Sequence, residues 1–147
     1  MLRIYINEDA KAIETEITIN CNCKNEEVDK IIALLCMLDK KLTGMKDNQT
    51  YILDATTILY IDTVDKKTFL YTESDIYETP FKLYELEEQL LTSDFFRANK
   101  SCIINFNQIK SLKSNIDGRI LVTMNNEEKL FVSRQYAITI KQKLGVK

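Results

Sequence analysis

The sequence predicts a mainly β protein with short helices, and three observations carry that prediction. From residue 45 onward the chain falls into short segments rich in Ile, Tyr, Thr and Phe, each bounded by polar turns. Only three stretches place apolar residues at helical spacing. The chain has 147 residues with 3 Gly and 1 Pro, so it is one ordinary domain, or one domain plus a short extension, with few flexible linkers.

In chain order, Leu2–Ile6 and Glu14–Asn20 alternate apolar with polar residues and read as two strands. Asn25 is a suitable N-cap, and Glu26, Glu27 and Asp29 favour the positive end of a helix dipole. Val28, Ile31, Ile32, Leu35, Leu38 and Leu42 follow at helical spacing, and Gly44 is expected to end the helix as its C′ residue. Residues 1–44 are thus expected to form a β-β-α extension, too small to bury a core alone. Residues 45–147 form the second unit. Strands are predicted at Thr50–Asp54, Thr57–Ile61, Thr68–Thr72 and Ile76–Glu78, with 62–67 as a loop carrying a basic tip. Pro80 stops this run, and Lys82–Leu91 is an amphipathic helix with acidic residues on its outer side. Strands return at Phe95–Ala98, Cys102–Phe106, Gln108–Ser114, Ile120–Met124 and Lys129–Val132, and Asp117-Gly118 signals a turn. Ser133 is expected to cap a last helix, Arg134–Leu144, which Gly145 ends.

Composition excludes more chemistry than it suggests. The chain has no His, which removes the usual general base, the usual zinc ligand and every Ser-His or Cys-His nucleophile pair. No glycine-rich phosphate loop is present. No catalytic residue, metal site, cofactor or small-molecule ligand is therefore expected, and the chain is not read as an enzyme. Cys21, Cys23, Cys36 and Cys102 are expected to be ordinary thiols in a reducing cytoplasm. The longest apolar run, Ile31 to Leu38, is far short of the roughly 20 residues a bilayer requires, and no secretory signal is visible. A cytoplasmic location without membrane insertion is expected.

Net charge is −2, but it is unevenly distributed. Residues 1–96 hold 10 Lys/Arg against 19 Asp/Glu, a net of −9, whereas residues 97–147 hold 10 against 3, a net of +7. A polyanion responds to the field within a Debye length of about 8 Å, so the basic segment points to a nucleic-acid face near the C-terminus.

Two stretches carry the more specific signal: Phe95-Phe96-Arg97-Ala98-Asn99-Lys100-Ser101-Cys102-Ile103-Ile104-Asn105, and Leu130-Phe131-Val132-Ser133-Arg134-Gln135-Tyr136. In order, spacing and setting they resemble the paired signatures of the LytTR family. The upstream Ile58-Leu59-Tyr60-Ile61-Asp62 and the Leu83–Leu90 helix agree with it. The resemblance covers about 100 residues, excludes 1–44, and implies an elongated β fold that places loops, not a recognition helix, into successive major grooves. It implies a sequence-specific transcription regulator acting on double-stranded promoter DNA, and regulators of this kind usually read repeated half-sites. The two short strands and the apolar stripe of Ile31, Leu35, Leu38 and Leu42 invite a homodimer through residues 1–44, with packing on the β unit as the alternative. No receiver domain is expected, because 44 residues cannot hold one. A non-catalytic interaction module on the same fold, an antirepressor or scaffold, is the alternative.

Carried over by motif position, Lys100 and Arg134 are expected to contact bases or phosphates. The loop after Asp62 adds Lys66, Lys67 and Thr68. Arg97, Asn99 and Ser101 complete the expected DNA-binding set. An Arg grips guanine O6/N7 or a phosphate with two parallel bonds, whereas Lys is a compact point charge. Asn99 stands where the family often has His, and its amide suits adenine. Arg97 has a second reading, an ion pair with the acidic helix, and Lys66 and Lys67 a second reading as a solvated hairpin tip. Asn105 is read as structural, its amide tying a turn.

Overall fold

The first regular element forms where the sequence supplies a cap. The Asn25 side chain accepts a hydrogen bond from the Val28 N–H at 3.0 Å, and helix α1 runs over Glu26–Leu38 with three carboxylates in its first turn. The computed structural model describes residues 2–39, 41–90 and 94–144. The helix stops six residues before Gly44. Asp39 donates its N–H back to the Cys36 carbonyl, and Lys41–Lys46 is strand β1. Leu42 and Gly44 are therefore buried strand residues rather than helix end and C′ residue. The helical spacing of Leu42 was accidental, because period 3.6 and period 2 coincide over a few positions.

The two strands expected at Leu2–Ile6 and Glu14–Asn20 do not form; residues 2–24 carry no regular element. Ile4 is 86% and Ile6 85% exposed. Alternation makes a segment competent to pair, but a strand exists only where a partner edge accepts its backbone bonds. The β-β-α extension thus reduces to α1 alone among regular elements. The boundary drawn between residues 44 and 45 falls inside β1.

Strand β1 turns through Asp47 and Asn48, both in the left-handed region (φ 51° and 63°), into β2, Gln49–Asp54. Asp54 then accepts from the Thr56 N–H, capping a 3-10 turn over Ala55–Thr57, so the next strand starts later than expected. The remaining elements are β3 (Tyr60–Val64), β4 (Lys67–Tyr71), β5 (Ile76–Thr79), α2 (Leu83–Gln89), β6 (Phe95–Asn99), β7 (Cys102–Asn105), β8 (Ile109–Ser114), β9 (Ile120–Met124), β10 (Lys129–Val132) and α3 (Arg134–Leu144). Leu91 and Gly145, expected to end α2 and follow α3, lie outside the described residues.

All pairings are antiparallel. A seven-stranded sheet has the order β2-β1-β5-β4-β3-β7-β6, and β10-β9-β8 form a second sheet. The mainly β architecture with short helices is the predicted one. Strand β7 and the first two residues of β3 are covered on both faces, which explains the apolar Tyr60-Ile61 and Cys102-Ile103-Ile104. On one face Ile61 and Ile103 join Leu70, Phe81 and Leu86 in a core that includes Ala33 of α1. On the other, Tyr60, Cys102 and Ile104 pack with Val122, Met124, Val132 and Ile140 of the small sheet and α3. Each large apolar side chain buried in this way contributes roughly 1.5–3 kcal/mol. Asn105, 2% exposed, ties the two layers: its amide donates to the Ile58 carbonyl at 2.9 Å and its oxygen accepts from the Asn107 N–H.

Candidate nucleic-acid interface

The β3–β4 connection is tighter than the sequence suggested. Strand β3 continues to Val64, leaving Asp65 and Lys66 as a two-residue turn with φ of 52° and 67°. This is the left-handed geometry that hairpins of this length require. Lys66 therefore sits exposed at the tip. Lys67 is the first residue of β4, its ammonium 3.8 Å from a Glu78 oxygen. Successive strand residues face opposite sides. Thr68 consequently points inward and is 4% exposed, which removes its side chain from the expected contact set.

At the β6–β7 turn, three of the expected contact residues are spent on holding the turn together. Arg97 donates from Nε to the Asn99 carbonyl at 2.7 Å and from Nη2 to the Lys100 carbonyl at 2.6 Å. Its Nη1 reaches Glu87 of α2 at 3.1 Å. With its side chain 16% exposed, Arg97 braces the turn and pairs with the acidic helix, the second of its two readings. The Asn99 amide donates to the Phe131 carbonyl at 2.9 Å, and its oxygen accepts from the Ser101 N–H and hydroxyl. Both ends of Asn99 are thus engaged within the protein, one amide N–H on Phe131 and the oxygen on Ser101. The Ser101 hydroxyl is exposed but already donates to Asn99. Lys100 differs: its carbonyl is gripped by Arg97, while its exposed ammonium makes no hydrogen bond or ion pair among the described residues.

Backbone bonds gather these turns at one end of the molecule. Thr63 donates its N–H to the Ser101 carbonyl at 2.9 Å, bringing the β3–β4 hairpin beside the β6–β7 turn. Ser133 donates its N–H to the Ala98 carbonyl at 2.9 Å, which sets the start of α3 against the same turn. The Ser133 carbonyl accepts the first helical bonds, from Tyr136 and Ala137, so Arg134 is the first residue of the helix. Lys100 and Arg134 line one open cleft together with Asn99, Ser133, Gln135 and Tyr136. The first backbone N–H groups of a helix and two nearby cations suit an anionic ligand.

Sequence reasoning missed the β8–β9 turn, residues 115–119, which reaches the same cleft: Gly118 lies against the Arg134 side chain. Arg119 stands over the Phe131 ring, 4.6 Å from its centroid, and pairs with Asp117. The Asp117-Gly118 signal located the turn but not its neighbour. The bonds from Arg119, first through its backbone N–H, hold the Asp117 carboxyl below the usual range.

The buried side of the site is chemically quiet. Burial, raised further by nearby Asp62, pushes the Cys102 thiol up to about 12, so it stays protonated. Asp62 is itself raised by burial, an effect the Tyr71 hydroxyl opposes by hydrogen bonding to it. Among the described residues no group of three or more His, Cys, Asp or Glu is placed to hold a metal ion, and no helix is long and apolar enough to cross a membrane.

Comparison with known proteins adds an independent line. The family model of the LytTr DNA-binding domain matches residues 48–145. An uncharacterised HTH-type transcriptional regulator of Staphylococcus aureus (strain MSSA476) is 30% identical over 147 residues, covering 99% of this chain and 98% of that protein. A counterpart from strain COL is 29% identical with the same coverage. Among solved structures, a LytTr DNA-binding domain from Bacillus cereus superposes with a TM-score of 0.68 at 27% identity, covering 72% of this chain and 97% of that one. Although the relatives' names carry "HTH-type", α1, α2 and α3 are separated by strands here, and no two of them form a helix-turn-helix pair.

Proposed function

This chain belongs to the LytTR family of DNA-binding domains, and from that membership we propose that it is a sequence-specific transcription regulator whose turns enter successive major grooves of promoter DNA. The observation that carries the reading is the gathering of Lys66, Lys67, Lys100 and Arg134 at one end of the fold, on elements joined by the Thr63–Ser101 and Ser133–Ala98 backbone bonds. Lys66 and Lys67 would neutralise phosphates along the strand, fixing register without reading sequence. Lys100 and Arg134 would reach base edges, Arg134 with a two-pronged grip on guanine. The exposed Ser101 hydroxyl would add a phosphate contact at the same turn by swinging its single O–H from the Asn99 oxygen to the phosphate. Arg97 and Asn99 act one step back, by shaping the turn from which Lys100 projects. No step requires bond chemistry.

Exposed Leu34 and Leu38 on α1, with exposed Ile4, Ile6, Ile13 and Ile17 before it, favour a homodimer through the N-terminal region. Two copies would read repeated half-sites in the cytoplasm. Light scattering with and without DNA checks the assembly, and a strict monomer at high micromolar concentration rejects it.

The deciding experiment selects bound sites from random DNA and titrates the winning duplex by fluorescence anisotropy. A consensus bound at least about 1,000-fold more tightly than random DNA is expected. If the chain binds all duplexes equally, or none at low salt, the sequence-specific reading falls. The same fold would then serve as an interaction module, an antirepressor or scaffold.

A further inference from the structure

Arg134 is aimed by a neighbour outside its own helix. The β8–β9 turn closes through the Asn115 N–H on the Arg119 carbonyl at 2.9 Å and the Gly118 N–H on the Asn115 carbonyl at 3.1 Å. Gly118 has φ of +88°, and a Cβ built on it would lie 3.0 Å from both Cγ and Cδ of Arg134. The aliphatic stem of Arg134 thus rests on the bare Cα of Gly118, leaving only its guanidinium to project. The turn is fixed on its far side as well. Asp117 accepts from the Arg119 N–H at 3.1 Å and Nε at 2.9 Å, and the Arg119 guanidinium covers Phe131. Phe131 belongs to β10, the strand that leads directly into α3, and its carbonyl holds Asn99.

We propose that the Asn115–Arg119 turn is the platform that directs the Arg134 guanidinium toward a base edge, with Gly118 as a specificity-positioning residue of the DNA site. The proposal rests on the reading of Arg134 as a base contact. Its physical basis is preorganisation. A flexible arginine loses side-chain entropy on binding, and a stem already laid on a rigid turn loses less. A two-pronged contact also tolerates displacement of only about half an ångström, so a methyl group inserted beneath the stem should spoil it.

The test is a double-mutant cycle on the full chain. The probes are a fluorescent duplex carrying the site this chain selects from random DNA and a random duplex of equal length. Gly118→Ala is expected to weaken binding to the selected duplex by about tenfold, as loss of a good base contact does. Affinity for the random duplex should stay within about twofold, since phosphate contacts are untouched. In an Arg134→Ala background, Gly118→Ala should cost nothing more, because the stem it would displace is gone. Gly118→Asn tolerates positive φ better yet carries the same Cβ, so an equal loss assigns the effect to the contact rather than to backbone strain. Equal losses from Gly118→Ala with and without Arg134 would overturn the proposal, because Gly118 would then act through the shape of the turn. So would a full loss from Arg134→Ala with none from Gly118→Ala. If Arg134→Ala itself costs nothing, the base-contact reading fails first, visibly and without any Gly118 variant, and takes the proposal with it.

Discussion

At the scale of single residues, the site divides into side chains that hold its shape and side chains left over to bind. Arg97 illustrates the first kind and Arg134 the second, although both are arginines at element boundaries. The difference lies in partners 2 to 10 residues distant in sequence: Arg97 reaches Glu87 and two turn carbonyls, whereas Arg134 makes no such bond among the described residues. Motif spacing located the turn but could not say which way Thr68 faces or what already occupies Asn99, because burial and hydrogen-bond partners are tertiary facts. Arg134→Ala should cost about 1–3 kcal/mol on the selected site and less on random DNA. Arg134→Lys keeps the charge and removes the fork, so discrimination should fall while non-specific binding stays. Loss of melting temperature with affinity intact would instead make Arg134 a brace for α3. Asp62 provides a residue-scale test of stability. One of its oxygens is buried without a partner, and burial raises its carboxyl above the usual range despite the Tyr71 hydroxyl. A raised folded-state pKa means that the stability due to this group is complete below about pH 3.9 and is lost as pH rises through the raised value. Asp62→Asn removes the ionisation and keeps an acceptor for Tyr71. It should therefore melt higher than the parent at pH 7, with the gap closing toward pH 4. A gap that widened on acidification would refute this account of Asp62.

At the scale of elements, legibility followed pairing. Strands whose partners lie next in sequence, such as β9 and β10 or β6 and β7, were readable from alternation and turn residues. Before residue 46 only α1 and its Asn25 cap were readable, and the helix end and the two expected strands were not. Leu42 continued the helical spacing of α1 by coincidence, and Gly44 looked like a helix terminator. In fact Gly44 is needed where β1 crosses Tyr77: a Cβ there would sit 2.5 Å from the Tyr77 Cβ and 3.2 Å from a Leu53 methyl. Tyr77 in turn packs edge-on against Tyr51 with ring centroids 5.3 Å apart, so it has little room to yield. Gly44→Ala should consequently destabilise the fold by about 1–3 kcal/mol, as overpacking of a filled core does. That corresponds to a melting shift of several degrees at this chain length. A helix C′ residue would respond differently: Ala there would chiefly suffer from positive φ and leave β1–β5 packing untouched. Amide exchange separates the two cases. Faster exchange in β1 and β5 supports the strand role, whereas faster exchange confined to the end of α1 contradicts it.

At the scale of the whole molecule, the asymmetry of charge acquires a spatial meaning only once the strands are in place. Lys66 comes from the acidic part of the chain, yet the β3–β4 hairpin carries it to the same end of the fold as the turn bearing Lys100, in the segment of net +7. Other cations are already engaged: Lys110 with Glu127 and Arg119 with Asp117. These pairs reduce the number of positive charges free to displace counterions, and nearby carboxylates oppose a polyanion at short range. About 4–8 phosphates neutralised per domain, toward the lower end of that range, is the consistent expectation, each contributing about −0.9 to the slope of log K against log[salt]. Anisotropy titrations between about 50 and 200 mM KCl measure that slope directly. Lys66→Ala should lower its magnitude by about 0.9 and weaken selected and random duplexes alike, because a phosphate contact carries no sequence information. Arg134→Lys should leave the slope unchanged while reducing discrimination, since it alters geometry and not charge. An affinity independent of salt would remove the electrostatic basis of the interface altogether, and the gathering of cations at this end of the fold would then require an acidic protein partner or no partner at all.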